Sequence, residues 1–398
     1  MPETRKTINI GLVGYQFMGK AHSNAYRQVN KFFADMEVHP VLKALCGRSE
    51  EKVKAAAEKF GFESFETDYK KLLERDDVDL IDIVTPGNSH AEIAVAAARA
   101  GKMVICEKPL ANTVAEAEAM LAAVRENNVG NAVCFNYRRV PAVALAHQFA
   151  KEGKLGRIYH VRAAYLQDWG GPDVPLLWRF QKKYAGSGAH GDLNAHIIDM
   201  ARFISGDEIS EVVGSLAETF VKEREIIQEG PKGGIAGGTS GGGKKGKSDV
   251  DDALLFLART RAGAVASFES TRLATGNQNK NGLEINGDKG SIRFNFEDMN
   301  TLEFYDTTVE RRAQGWANIM VTHGGDHPYV GNWWPDAHII GYEHGFINQT
   351  ADMMNILGGK PPVVPMPDFE DAYKTQQVLE AASLSAAERR PVKVSEMK

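Results

Sequence analysis

An acid and an imidazole stand four residues apart in Gly186-Ser-Gly-Ala-His190-Gly-Asp192-Leu-Asn-Ala-His196-Ile-Ile-Asp199. In a helix, side chains four apart share a face, so Asp192 and His196 would lie about one turn from each other. A buried histidine beside a carboxylate is a good proton acceptor near neutral pH, which is the task of a general base. The preceding glycines would end a loop and let the backbone pass close to a ligand. Hydrogen-bonded histidines with no chemical role show the same spacing, so other parts of the chain must decide between the two. Asp199, one turn past His196, reads as a helix-surface acid or a structural cap. His190, His196, His338 and His344 lack paired zinc-ligand spacing such as H-E-x-x-H, and no metal is expected.

A second set of residues suits a dinucleotide. Gly11-Leu-Val-Gly14-Tyr-Gln16-Phe-Met-Gly19 follows an apolar run and opens a helical pattern. There Gly14 would make the tight turn, Gly19 would let helix pack on strand, and the helix N-terminus would face a pyrophosphate. Gln16 stands where the middle glycine of G-x-G-x-x-G normally allows close approach to the phosphates. The next strand ends in Leu45-Cys46-Gly47-Arg48-Ser49. It lacks the usual acid for ribose hydroxyls and offers a guanidinium, which suits a 2′-phosphate or stacks on adenine.

The elements that must position these groups alternate over the first half. Strands are expected at 8–13, 40–46, 80–85, 103–106 and 132–136, and helices at 18–33, 50–60, 90–100 and 114–127. Such alternation predicts a parallel sheet covered on both faces. One further helix is expected at 140–152. Beyond it, β-branched and aromatic runs at 158–166, 212–220, 253–260, 264–271, 283–287, 291–296 and 302–305 are separated by turn signals such as Asn286-Gly-Asp-Lys-Gly290 and predict an antiparallel sheet. The fold class is therefore α/β: a Rossmann dinucleotide-binding domain over 1–137, then an α+β domain over 138–398 with a large, mostly antiparallel open sheet. A closing helix is expected over 368–389, and a flexible glycine- and lysine-rich loop over 229–247.

The 398 residues carry a net charge of −5, with 43% hydrophobic and 25% charged residues. This gives no sign of nucleic-acid binding, and no apolar run is long enough to span a bilayer. Met-Pro-Glu-Thr-Arg-Lys-Thr leads straight into a strand without a signal core. Cys46, Cys106 and Cys134 sit apart from one another in or beside apolar runs, as reduced buried thiols would. A cytoplasmic location is expected. The wide sheet must bury its exposed face somewhere, so a homodimer or homotetramer is expected.

Cys106-Glu107-Lys108-Pro109-Leu110, Val84-Thr-Pro86-Gly-Asn88-Ser-His90 and the Asp192…His196 pair together resemble the glucose–fructose oxidoreductase / inositol dehydrogenase / MocA family of sugar and cyclitol oxidoreductases. Nearly the whole chain is covered. Phe17–Tyr26, Phe135–Arg139, Tyr165–Trp169, Thr219–Arg224 and Trp333–His344 look like the levoglucosan-dehydrogenase-like branch, which oxidises a sugar C3 hydroxyl. The resemblance implies hydride transfer between a sugar, glycoside or cyclitol hydroxyl and a nicotinamide. It makes Lys108 the residue that holds the reacting oxygen, His196 the base and Asp192 its orienting partner, with the last two roles exchangeable. It places the cofactor on Gly14, Gln16, Phe17, Met18, Gly47, Arg48, Thr85, Pro86, Asn88, His90, Glu107, Lys108 and Asn136. Family precedent points to NAD, whereas the Gly47-Arg48 tip points to NADP. The carbohydrate would meet Tyr137, Arg138, Asp168, Trp178, Arg179, His190 and Tyr342 besides the catalytic residues. Two other readings share the fold: a glycosidase acting through transient C3 oxidation and elimination, and a non-catalytic dinucleotide-binding sugar sensor.

Overall fold

The computed structural model describes residues 6–226 and 243–398. They form two compact units. The first comprises residues 1–111, 115–139 and 340–373, and the second 112–114, 140–339 and 374–398. The main change of unit, at 139/140, falls close to the expected 137/138. Residues 340–373 belong to the first unit, although the sequence reading assigned them to the second.

In the first unit, β1 (Lys6–Val13), β2 (Val38–Cys46), β3 (Ser64–Glu66), β4 (Leu80–Ile83), β5 (Met103–Glu107) and β6 (Asn131–Cys134) form a six-stranded sheet in the order β3-β2-β1-β4-β5-β6. Every pairing is parallel. This is the doubly wound order, whose strand order reverses between β1 and β4, beside the β1 loop. The helices α1 (Phe17–Phe32), α2 (Glu50–Phe60), α3 (Tyr69–Leu73), α4 (His90–Arg99) and α5 (Val114–Glu126) connect the strands. All four residues of β4 are buried, Asp82 included, as a strand covered on both faces requires. The short β3 and α3 were not expected. Neither is long enough to show a period, and α3 is marked only by its cap, Asp68, which accepts from the Lys70 amide.

In the second unit α6 (Pro141–Lys151) precedes a nine-stranded sheet. Its main strands are β7 (Ile158–Leu166), β8 (Ile209–Glu218), β11 (Ala253–Thr260), β12 (Val265–Thr271), β13 (Lys280–Gly287), β14 (Gly290–Asn295), β15 (Thr301–Asp306) and β16 (Trp316–Met320), closed by the two-residue β17 (Val392–Lys393). β7 and β12 pair in parallel and the other neighbours are antiparallel. α7 is the single turn Lys182–Ala185, and α8 is Ala195–Ser205. α8 packs on β7 and β13 and against α6. On β11 buried and exposed residues alternate, which leaves Leu255 and Leu257 outside. The expected loop over 229–247 lies mostly outside the described residues. Its end differs from expectation: β10 (Lys245–Lys247) pairs antiparallel with β9 (Glu223–Glu225).

Two helices complete the chain, α9 (Tyr342–Leu357) and α10 (Phe369–Glu388). α9, absent from the sequence reading, packs on α1 and β2 in the first unit.

Candidate active site

The loop after β1 is shaped by two glycines that no other residue could replace. Gly14 has φ +115°, and a β-carbon there would stand 3.0 Å from the Val84 carbonyl oxygen. At Gly19 a β-carbon would come within 2.5 Å of the Gly14 carbonyl oxygen. Gln16 has φ −86°, so its backbone does not call for glycine, and the missing middle glycine strains nothing. The first turn of α1 holds no acid, so its free amides and dipole suit a phosphate. These residues fit a dinucleotide. Gly47 has a packing reason: its β-carbon would fall 2.1 Å from the Tyr15 ring. The ring occupies the space of an acid-bearing tip, and Arg48 beside it is exposed.

The strand ends β4 and β5 are tied together by His90. Its Nε2 lies 2.9 Å from the Thr85 carbonyl oxygen and its Nδ1 3.0 Å from that of Pro109. His90 is 1% exposed, so it braces the loop carrying Lys108 and does not present a ring to a ligand. Ser89 Oγ donates to Pro86 O and to Thr85 Oγ1, holding Thr85 and Pro86 in place, while Asn88 is exposed. Glu107 also faces protein: Oε1 lies 2.8 Å from His22 Nε2, and Oε2 accepts from the Lys108 amide at 3.1 Å. Asn136, Tyr137 and Arg138 form a buried turn after β6, with Arg138 paired to Asp371. Tyr342 stacks on Phe17, ring centroids 6.3 Å apart, which joins a predicted sugar residue to a predicted cofactor residue; Met18 follows on α1.

In the second unit the Asp192…His196 segment is helical, but its first turn, His190–Asn194, is a π-helix that runs into α8. Such turns concentrate at functional sites. Asp251 anchors the turn by accepting from the amides of Gly188 and His190, both at 2.7 Å. Gly188 is needed because a β-carbon would lie 1.7 Å from the Asp251 carbonyl oxygen. The close approach that this glycine permits is therefore to the protein's own backbone and not to a ligand.

Arg272, which no motif in the chain singles out, holds Asp192. Its Nη2 donates to Asp192 Oδ2 at 2.7 Å, and the guanidinium also reaches the carbonyl oxygens of Gly188 and Arg179. Arg272 lies over the Trp169 ring at 5.2 Å. Arg179 stacks on Trp178 at 4.4 Å, and burial lowers its pKa against the opposing pull of Asp192. His196 is buried against Tyr165, centroids 5.9 Å apart. Asp168 is exposed and accepts from the Gly276 amide.

Two assignments in this segment change as well. His190 is 1% exposed, with Nε2 at the Leu379 carbonyl oxygen and Nδ1 accepting from the Asn194 amide nitrogen, so it supports the π turn from behind. Asp199, read as a helix-surface acid or a structural cap, is buried, which removes the first of these. Among the described residues, His22, Asp82 and Cys134 bring metal-ligating atoms within 4.8 Å of one another. Both His22 nitrogens there already face carboxylate oxygens. All three cysteines are free and buried.

The first unit thus has the doubly wound strand order of a nucleotide-binding sheet, and the second carries an arginine-held acid four residues before a buried histidine. Residues 8–135 match the oxidoreductase family with an NAD-binding Rossmann fold, and residues 143–293 match the GFO/IDH/MocA C-terminal domain. The chain is 40% identical over 394 residues to levoglucosan dehydrogenase of Pseudarthrobacter phenanthrenivorans, covering 98% of this chain and 99% of that one. The solved structure of a levoglucosan dehydrogenase in complex with NADH superposes with a TM-score of 0.90 at 40% identity, over 98% of this chain and 99% of that one. An oxidoreductase domain protein from Kribbella flavida gives the same TM-score, 0.90, at 50% identity and the same coverage, 98% and 99%. The chain belongs to the GFO/IDH/MocA family of oxidoreductases, and its first unit carries the family's NAD-binding Rossmann fold.

Proposed function

We propose that this protein is an NAD-dependent dehydrogenase of a secondary hydroxyl, C3 in a sugar or glycoside, with levoglucosan-like anhydrosugars and cyclitols as the substrate class. The observation that carries the reading is the Arg272–Asp192 pair one turn before His196, in a chain similar along its length to levoglucosan dehydrogenase. Oxidation removes a hydride from carbon and a proton from oxygen, leaving a ketone. The nicotinamide, when bound, supplies the hydride acceptor. The guanidinium favours the charged form of Asp192, which suits this carboxylate to orient and to accept from sugar hydroxyls. Proton uptake then falls to the His196 ring. Lys108 Nζ donates to the reacting oxygen and stabilises its developing charge. Trp178, Arg179, Tyr137 and Tyr342 supply aromatic faces and donors for a carbohydrate, and Asp168 an acceptor.

The purified protein should reduce NAD with levoglucosan, glucosides or inositols, and Lys108→Ala should abolish turnover while leaving NAD bound. Bound NAD without reduction by any member of the panel would sink the reading. Release of aglycone without net reduction would replace it with the glycosidase.

The exposed sheet face supports a second copy of this chain as partner. Leu216, Leu255 and Leu257 lie on adjacent strands there, and Leu255 pairs with Leu216 in register. A contiguous apolar patch of this kind marks an interface. No helix among the described residues is long and apolar enough to cross a membrane.

A further inference from the structure

The Phe17–Tyr26 segment carries two residues that neither the phosphate loop nor the sugar pocket uses, His22 and Tyr26. Both point into the sheet from α1. His22 Nδ1 lies 2.7 Å from Asp82 Oδ2 on β4, and its Nε2 lies 2.8 Å from Glu107 Oε1 on β5. Tyr26 donates its hydroxyl to the same Asp82 oxygen at 2.9 Å. The three ionisable partners are buried: His22 is 5%, Asp82 0% and Glu107 5% exposed. Cys134 and the Phe346 ring close the remaining sides of the imidazole.

A neutral imidazole has one donor and one acceptor nitrogen. Set between two ionised carboxylates, it would put a lone pair against a lone pair on one side. The imidazolium donates on both sides and offsets one of two buried negative charges, and the Tyr26 hydroxyl supplies a third donor. Glu107 carries this arrangement to the reacting residue, because its second oxygen accepts from the Lys108 amide. Without the clamp, Glu107 would be a buried carboxylate with no counter-charge from His22, and it would turn away toward water. The Lys108 main chain would then lose its acceptor.

We propose that His22, as an imidazolium shared by Asp82 and Glu107, is a positioning residue that sets Lys108. It acts through Glu107 and touches neither substrate nor cofactor. The proposal rests on reading Lys108 as the residue at the reacting oxygen, and the measurements below separate failure of one from failure of the other.

Nitrogen-15 NMR of the full chain labelled at histidine, assigned through bonds, reads the ring directly. At about pH 8, above the ordinary histidine range, His22 is expected to carry protons on both nitrogens. A neutral tautomer overturns the proposal whatever the enzyme oxidises, and it does so even if no variant folds. Reductive carbon-13 methylation then follows the Lys108 amine, assigned by its loss in Lys108→Arg. In His22→Gln its signal, read at one fixed pH, is expected to move to a new chemical shift while NAD affinity holds. An unmoved Lys108 signal in folded His22→Gln overturns the proposal. In turnover, His22→Gln should lower kcat roughly ten- to a hundredfold with KM unchanged, the scale of a small misplacement at a reacting group. Full activity in His22→Gln beside an inactive Lys108→Ala refutes the positioning role alone. Full activity in Lys108→Ala refutes the reading beneath it.

Discussion

Replacing Arg272 by Met tests the second unit's site most directly. Methionine keeps an unbranched stem against Trp169 but removes the guanidinium. The side chain of Arg272 is 2% exposed and that of Asp192 29%, so the pair is neither a surface ion pair nor a fully dry one. A charge-assisted bond is worth about 1.5–3 kcal/mol, and the two longer bonds to carbonyl oxygens add about 0.5 kcal/mol each at the weak end of the range. Water reaching Asp192 takes up part of the loss, so Arg272→Met should destabilise the second unit by about 3 kcal/mol. Asp192→Asn alone strands the buried guanidinium and should cost about 2 kcal/mol. The double variant should be less damaged than the sum, with a coupling of about 2 kcal/mol. All five tryptophans lie within 140–339, so tryptophan fluorescence in urea follows this unit without interference from the other. Additivity to within about 0.5 kcal/mol would mean that the two residues do not act as a pair, and the assignment of proton uptake to His196 would lose its support.

Three further outcomes follow from the geometry. Gly19→Ala should abolish NAD binding in titration calorimetry, since its β-carbon would meet the Gly14 carbonyl oxygen at 2.5 Å; retained affinity would show that the loop can open at little cost. Stability should fall on the alkaline side. Burial, the largest single influence, opposes the charge on His22, but Asp82 and Cys134 together outweigh it, so the folded ring titrates well above its ordinary 6.5. A group raised on folding stabilises fully below its unfolded value, and the contribution is lost as pH climbs through the folded one. Cys134, pushed up to about 12 by burial, adds to the loss above the ordinary thiol range. The melting temperature should therefore decline as pH rises above 6.5, more steeply than in His22→Gln; parallel curves would remove His22 as the cause. Leu257→Glu, on the exposed sheet face at 58% exposure, should lower the mass measured by light scattering to that of a single chain without lowering the melting temperature of the isolated chain.

The parts of this fold that could be read in advance were those with a local signature. β1, α1, the turn glycine Gly14 between them and Gly19 in the first turn of α1 show themselves within a single short segment, as do the hairpins around Arg261-Ala-Gly263 and Asn286–Gly290. α9 did not, for a physical reason: residues 344–354 are buried without a break, so no polar face marks a helical period. Arg272 was hidden because its partner Asp192 is 80 residues away, and nothing around a strand-end arginine points that far. His190 was misjudged for the same reason, since its ring reaches a carbonyl 189 residues on. The strand Lys245–Lys247 has no apolar side chain to announce it and exists through backbone pairing. The parallel neighbours β7 and β12, about a hundred residues apart in sequence, are set by topology and not by local propensity.

Arg139 gives the order of synthesis a physical meaning. Its side chain is wholly buried; Nε donates to Asp352, and Nη2 reaches the carbonyl oxygens of Val364 and Pro365. All of these partners belong to the late segment that returns to the first unit. A ribosome that has released the nucleotide unit through residue 139 must still make some two hundred more before that guanidinium finds its carboxylate. Leaving such a charge buried and unpaired costs several kcal/mol. Domains commonly fold in the order they emerge, but here the half that begins first must wait for nearly the last of the chain. The first unit is thus complete only once residues 340–373 have been made.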